Sequence, residues 1–174
     1  MSIKQPGQND HLEFELESLE HRMMLSTVDV FAAGTTNQET IELQIDGITV
    51  QTWENVGGDA EAGHFQKLSY QTDQAIDPGQ IRVAFTNDLF DPSQGIDRDV
   101  RVDRIVVNGQ AIETESKDVF STGTWKEADG VVPGFRESEY LQANGYFEYP
   151  SRGGEATGST VDIVVRGDEG TEQF

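Results

Sequence analysis

The sequence predicts an all-β domain, a β-sandwich of jelly-roll type with one short amino-terminal helix, and three observations predict it. Valine, isoleucine, threonine and phenylalanine gather in short runs that alternate with polar residues. The runs are separated by pairs that turn a chain tightly, Asp46-Gly47, Pro78-Gly79 and Asn108-Gly109. Eighteen glycines against only five prolines supply turns without breaking strands.

Residues 1 to 11 are polar and contain Pro6 and Gly7, which predicts disorder. From Leu12 to Ser26, Leu12, Leu16, Leu19 and Met23 recur at spacings of four, three and four, one face of a helix whose other faces carry acids. Within it, Leu16 to Ser26 resembles a short L-E-x-L-E-x-R-x-L-L-S motif near the amino termini of planctomycete extracellular proteins. That resemblance implies export, and so an extracellular or cell-surface location. The plain alternative is an amphipathic helix that caps the domain.

Val28 to Ala33 alternates apolar and polar residues and reads as the first strand, and Gly34 to Asn37 turns. Ile41 to Gln44 and Thr49 to Trp53 form a hairpin, because Asp46-Gly47 accepts the positive φ of a tight turn. Asn55 to Gly63 is a glycine-rich loop, Phe65 to Gln71 a strand, Asp77-Pro78-Gly79 a turn, and Ile81 to Phe85 a further strand. Val100 to Asn108 is the longest strand predicted. Val100, Val102 and Val106 would lie on one side and Ile105 and Val107 on the other, so it belongs in the middle of a sheet.

Asn108-Gly109 returns the chain through Ala111 to Glu113. Glu115 to Leu141 carries no sustained period of either kind, and a connection of that length inside a domain is usually functional. Gly145 to Tyr149 and Thr160 to Arg166 close a set of about nine short strands. The expected organisation is an amino-terminal segment over 1–26, one sandwich domain over 27–167 and an acidic tail over 168–174.

The bulk numbers narrow the function. A formal charge of −20, from 32 acidic and 12 basic residues in 174, repels phosphate backbones and anionic lipid, so neither nucleic acid nor membrane is an expected partner. Cations are favoured instead. The absence of cysteine excludes thiol catalysis, disulfides and cysteine-based metal sites, and His11, His21 and His64 lack metal-ligand spacing. No apolar run approaches the ~18 residues of a membrane span.

Between two strands lies a loop crowded with hard oxygen donors: Asn87, Asp88, Asp91, Asp97 and Asp99, with Pro92 and Gly95 supplying bends. Carboxylates that close repel unless a cation sits among them, which makes the loop a candidate calcium site. The spacing is not that of a twelve-residue EF-hand loop, and a solvated acidic turn is the alternative.

Three motifs in order, Gly34-Thr35-Thr36-Asn37-Gln38-Glu39-Thr40-Ile41-Glu42-Leu43, Phe85-Thr86-Asn87-Asp88 and Asp97 to Gly109, give the chain a family resemblance from about Val28 to Tyr149. Ser121-Thr122-Gly123-Thr124-Trp125 and Leu141 to Phe147 add to it. The sequence resembles calcium-dependent carbohydrate-binding modules of the xylan-binding type, family 60, and its circularly permuted relative, family 36. The resemblance implies a non-catalytic module that binds β-glycans by letting a protein-held calcium accept two adjacent sugar hydroxyls. It further implies Glu39, Asp88 and Asp97 as side-chain ligands and the Arg98 carbonyl as a backbone ligand. Trp125 becomes the aromatic wall beside the sugar, with Asp97 and Glu39 on the carbohydrate side of the ion.

Two positions depart from the family pattern. Asp99 stands where it usually has Asn, and Ala143 stands where relatives often carry a cysteine, with Ala128 in the place of its partner. The expected partner is a polysaccharide, whether xylan, galactan or a cellulose-like chain, and such modules commonly ride on larger secreted multidomain proteins. Two other readings remain open at this point. In one, calcium only staples a structural or adhesion domain; in the other, a pair of acids works as a glycoside hydrolase.

Overall fold

Alternation of apolar and polar side chains builds strands here because each strand buries one face. The computed structural model describes residues 25–152. In chain order its strands are β1 (Ser26–Gly34), β2 (Glu39–Ile45), β3 (Ile48–Val56), β4 (Gly58–Asp59), β5 (His64–Thr72), β6 (Ile81–Phe85), β7 (Phe90–Asp91) and β8 (Ile96–Asp97). There follow β9 (Val100–Val107), β10 (Gln110–Glu113), β11 (Phe120–Ser121), β12 (Trp125–Lys126), β13 (Gly130–Val131), β14 (Gly134–Phe135), β15 (Tyr140–Leu141) and β16 (Gly145–Glu148). Among the described residues a single 3-10 turn, Pro78–Gln80, precedes β6, with the Asp77 carboxylate accepting from the Gly79 N–H.

The eight predicted strands that fall within these residues each coincide with one of the longer strands. The helix expected over Leu12 to Ser26 lies outside the described residues except at its end, where Ser26 already belongs to β1. The strand expected over Thr160 to Arg166 and the acidic tail also lie outside them.

Two antiparallel six-stranded sheets form a β-sandwich. One runs β10-β9-β1-β5-β4, with β15 taking up the part of the β9 edge that β10 leaves, and the other runs β14-β11-β16-β6-β2-β3. The first presents Val28, Val30, Ala32, Val100, Val102, Ile105 and Val107 inward. Ile41, Leu43, Ile81, Val83, Phe85 and Phe147 face them from the second, and all are at most 1 % exposed. Burying each larger side chain of this kind contributes roughly 1.5–3 kcal/mol, which is what closes the sandwich.

The inward faces correct one reading. Val100, Val102, Ile105 and Val107 share the core side of β9, and Val106 does not. The register between β1 and β9 slips by one residue, Ala32 pairing with Val102 and Phe31 with Arg104, so Asp103 is an extra residue on β9. A bulge of this kind reverses the alternation at the point where strict period-two reading splits the strand between two faces. The loop expected over Asn55 to Gly63 is also shorter, since β3 runs on to Val56 and Gly58–Asp59 pairs with β5.

The hairpin turn at Asp46-Gly47 has φ of 52° and 78°, as its sequence requires. Two small ribbons project from the sandwich, β7 with β8 and β12 with β13. The first carries the acidic loop, and the second carries Trp125.

Candidate functional site

The site begins where β1 ends. Between Gly34 and β2 the chain turns through Asn37, at φ 59°, and delivers Glu39 to the first position of β2, where it is fully buried. A buried carboxylate needs partners, and the turn supplies them. Glu39 Oε1 accepts from the Thr36 N–H and the Thr36 hydroxyl, both at 2.7 Å, and Oε2 accepts from the Gln38 N–H at 2.9 Å. Gly34 is required here because a Cβ on it would stand 1.9 Å from Glu39 Oε2.

Thr35 ties this turn to the acidic one. Its hydroxyl donates to the Asp97 carbonyl at 2.8 Å, accepts from the Asp99 N–H at 2.9 Å, and lies 3.3 Å from Glu39 Oε1. Glu39 therefore sits one hydroxyl away from the chain between Asp97 and Asp99.

Asp97 is exposed on β8, paired across the ribbon with Phe90. Asp88 lies in the chain between β6 and β7, its N–H donating to Asn144 Oδ1 at 2.9 Å. Burial raises the Asp88 carboxyl, and the charge on Asp97 raises it further. Asp99 is pushed up to about 6, first by burial and then by the charges of Asp97, Asp88 and Glu39. The charges of Asp97, Asp88 and Glu39 thus bear on Asp99 and that of Asp97 on Asp88, and no basic side chain offsets them at Asp99.

Arg98, the nearest basic residue in sequence, turns its guanidinium away, donating to Gln38 Oε1 at 2.8 Å and to the Asn87 carbonyl at 3.4 Å. Its backbone stays within the turn, between Asp97 and Asp99, with its N–H on the Leu89 carbonyl at 3.0 Å.

An all-oxygen, net-negative set of this kind suits a hard divalent cation and not a soft one. Among the described residues no three acidic or histidine side chains are gathered into a finished cage. What the fold provides is donor chemistry and uncompensated charge around Asp99.

Asn87 and Asp91 are occupied elsewhere. Asn87 Oδ1 accepts from the Thr40 N–H at 2.7 Å and its amide donates to the Gln38 carbonyl at 2.8 Å, clipping the two turns together. Asp91 caps the tip of its own loop, with Oδ1 bound by Ser93 and Oδ2 by the Gln94 side chain at 2.7 Å. Those hydrogen bonds lower the Asp91 carboxyl, and no neighbouring carboxylate acts on it, which sets it apart from Asp88 and Asp99. Both residues shape the loop that the acids sit on.

Asp97 and Asp99 share a cavity of about 440 Å³ with Phe90, Trp125 and Gln142. Trp125 is 51 % exposed and Phe90 68 %, so neither ring serves the core. The Trp125 backbone N–H donates to Gln142 Oε1 at 2.9 Å, and Trp125 pairs across its ribbon with Val131. Beneath the ribbon, the buried Ser121 and Thr124 hydroxyls meet at 2.7 Å, and the Thr124 hydroxyl reaches the Tyr140 carbonyl at 2.7 Å. Gly123 and Gly145 pass so closely that a Cβ on Gly145 would lie 2.6 Å from the Gly123 nitrogen. This packing fixes the Trp125 loop without a bridge between positions 128 and 143.

Sequence reasoning missed Thr35, Phe90 and Gln142. An aromatic residue in an otherwise polar turn was the signal for Phe90. Thr35 and Gln142 gave none, because their partners lie 62 to 64 and 17 residues away.

A family model described as Ca-dependent carbohydrate-binding module, xylan-binding, CBM60, matches residues 27–122. The chain is similar to a solved structure of vCBM60 in complex with galactobiose, at 38 % identity and a TM-score of 0.56, covering 72 % of this chain and 98 % of that one. It is also similar to the selenomethionine form of vCBM60, from work on circular permutation as an evolutionary link between two families of calcium-dependent carbohydrate-binding modules. That match has 37 % identity and a TM-score of 0.56, covering 72 % of this chain and 91 % of that one. None of the curated proteins matches.

Proposed function

The chain belongs to the CBM60 family of carbohydrate-binding modules, and from that premise we propose that it is a non-catalytic, calcium-dependent binder of neutral β-glycans such as xylan or galactan. The observation that carries the reading is the crowding of Asp99 by Asp97, Asp88 and Glu39 without a basic partner, in a cavity walled by exposed Trp125. Glu39, Asp88, Asp97 and Asp99, with the Arg98 carbonyl, are the residues that would hold the ion. Bound calcium would supply coordination positions for two adjacent sugar hydroxyls. Trp125 and Phe90 offer apolar ring area to the C–H face of a pyranose, which favours sugar without demanding one hydroxyl pattern. Thr35 ties the Glu39 turn to the chain at Asp97, and Asp97 and Asp99 line the cavity.

A catalytic reading draws on the raised Asp99 carboxyl, since a general acid needs one. Burial is the largest cause, and the charges of Asp97, Asp88 and Glu39 add to it; a cation among these carboxylates would offset the charges and favour the ionised form of Asp99. The module acts outside the cell or on its surface, in keeping with the Leu16 to Ser26 motif.

Calorimetry against soluble xylan and soluble galactan, with calcium and with EDTA, tests the reading. Binding weakens at least tenfold on chelation and on Asp97→Ala, whereas Trp125→Ala weakens sugar binding and leaves calcium bound. Calcium binding without any sugar binding would leave a calcium-stapled adhesion domain. Release of reducing ends that is abolished by Asp97→Ala but unaffected by EDTA would make the protein a hydrolase.

A further inference from the structure

The solvent side of the second sheet carries a groove that the calcium-site reading does not use. One row of register partners crosses five strands: Phe135 on β14, Phe120 on β11, Glu148 on β16, Arg82 on β6 and Gln44 on β2. Phe147, Val83 and Leu43, one residue along, face the core, so the row faces outward. Five strands about 4.8 Å apart make it roughly 20 Å long.

Phe135, Phe120, Glu148 and Arg82 of this row line a groove of about 480 Å³, which adjoins a hollow of about 220 Å³ beside the β2–β3 turn; Gly79, Arg82 and Glu148 belong to both. Phe135 is 65 % exposed and meets Phe120 edge to face, with centroids 5.5 Å apart. Arg82 lies 4.5 Å over the Tyr146 ring and pairs with Glu148 at 2.6 Å.

We propose that this groove is a second, calcium-independent saccharide site, one that takes a neutral glycan chain lying across the strands. The proposal rests on the reading of the protein as a glycan binder. Its lining alternates ring surface, suited to the C–H face of a sugar, with a fixed donor and acceptor pair suited to hydroxyls. The charges of Arg82 and Glu148 cancel, Asp118 adds a negative one, and the whole chain carries −20, so a polyanion is repelled and an uncharged chain is not. Along the chain, exposed Val131 and Val132 stand between the Trp125 ribbon and Phe135, and Val131 is the register partner of Trp125.

The test is a titration of the whole chain with soluble xylan and soluble galactan in EDTA, followed by calorimetry and by backbone amide shifts. The expected result is a weak residual affinity that shifts Phe120, Tyr146 and Glu148. Phe135→Ala weakens it at least fivefold, Phe135→Tyr restores it, and polygalacturonate does not compete. Calcium-dependent binding with no residual component in EDTA overturns the groove and leaves the first site standing. Residual binding that Phe135→Ala removes, with no further gain on adding calcium, supports the groove and overturns the calcium reading. If Phe135→Ala alters sedimentation but not residual binding, the groove is a contact between copies of the chain and the proposal falls.

Discussion

Asp99 is the residue on which the local electrostatics converge. Its carboxyl titrates near 6 in the folded protein against an ordinary value of 3.8, so between these values the folded state holds more protons than the unfolded one. The Asp99 contribution to stability therefore rises as pH falls from about 7 towards 4, the opposite of a salt-bridged aspartate. In EDTA, thermal melts should show the midpoint rising on acidification through this window. Asp99→Asn, the residue usual in the family pattern, should raise the midpoint at pH 7 and flatten the profile. A profile that Asp99→Asn leaves unchanged would remove Asp99 from the crowded group. The acids were legible in the sequence as a cluster of donors, but which of them meet was not. Asn87 and Asp91 also offer hard oxygens, and differ from Asp97 and Asp99 in that nearby backbone and side-chain donors engage them.

At the scale of the element, β9 is the informative case. Its apolar content marked it as an interior strand, and it is one, flanked by β1 and by β10 and β15. Its alternation could not be read correctly because a bulge is a property of the pair, set by how β1 meets it. The bulged register makes a direct prediction. Ile105→Ala should cost about 2–5 kcal/mol in urea unfolding, as truncation of a buried aliphatic side chain does, and Val106→Ala less than about 1 kcal/mol. Similar costs for the two would contradict the register. The stretch from Glu115 to Leu141 teaches the converse lesson. Lacking any period, it nonetheless contributes five two-residue strands, three that join the larger sheets and two that pair with each other, because such short bridges need no pattern of their own.

The molecule as a whole carries a charge imbalance that a divalent ion would relieve locally. Calcium held by the native fold and not by the unfolded chain stabilises by mass action, about 2.7 kcal/mol at a hundredfold excess over Kd. That corresponds to a rise of roughly 10 °C in melting temperature for a domain of this size. Calorimetric scans with calcium, magnesium and EDTA should show this shift for calcium and a smaller one for magnesium, which demands a tighter octahedral shell. Equal melting in calcium and EDTA would show that no ion is built into the native state.

The sequence by itself determined the all-β class, the order of the longer strands, the Asp46-Gly47 and Asn108-Gly109 turns, and the family motifs from Gly34 to Gly109. Each of these depends on side-chain periodicity, on turn residues with positive φ, or on residues adjacent in the chain. Tertiary structure alone decided that Glu39 comes within one hydroxyl of the chain at Asp97 and Asp99, that Trp125 and Phe90 share a cavity with those acids, and that a row of aromatic and charged residues crosses the outer face of the second sheet. These arrangements join residues tens of positions apart, and the registers and bulges that bring them together arise only when the strands pair.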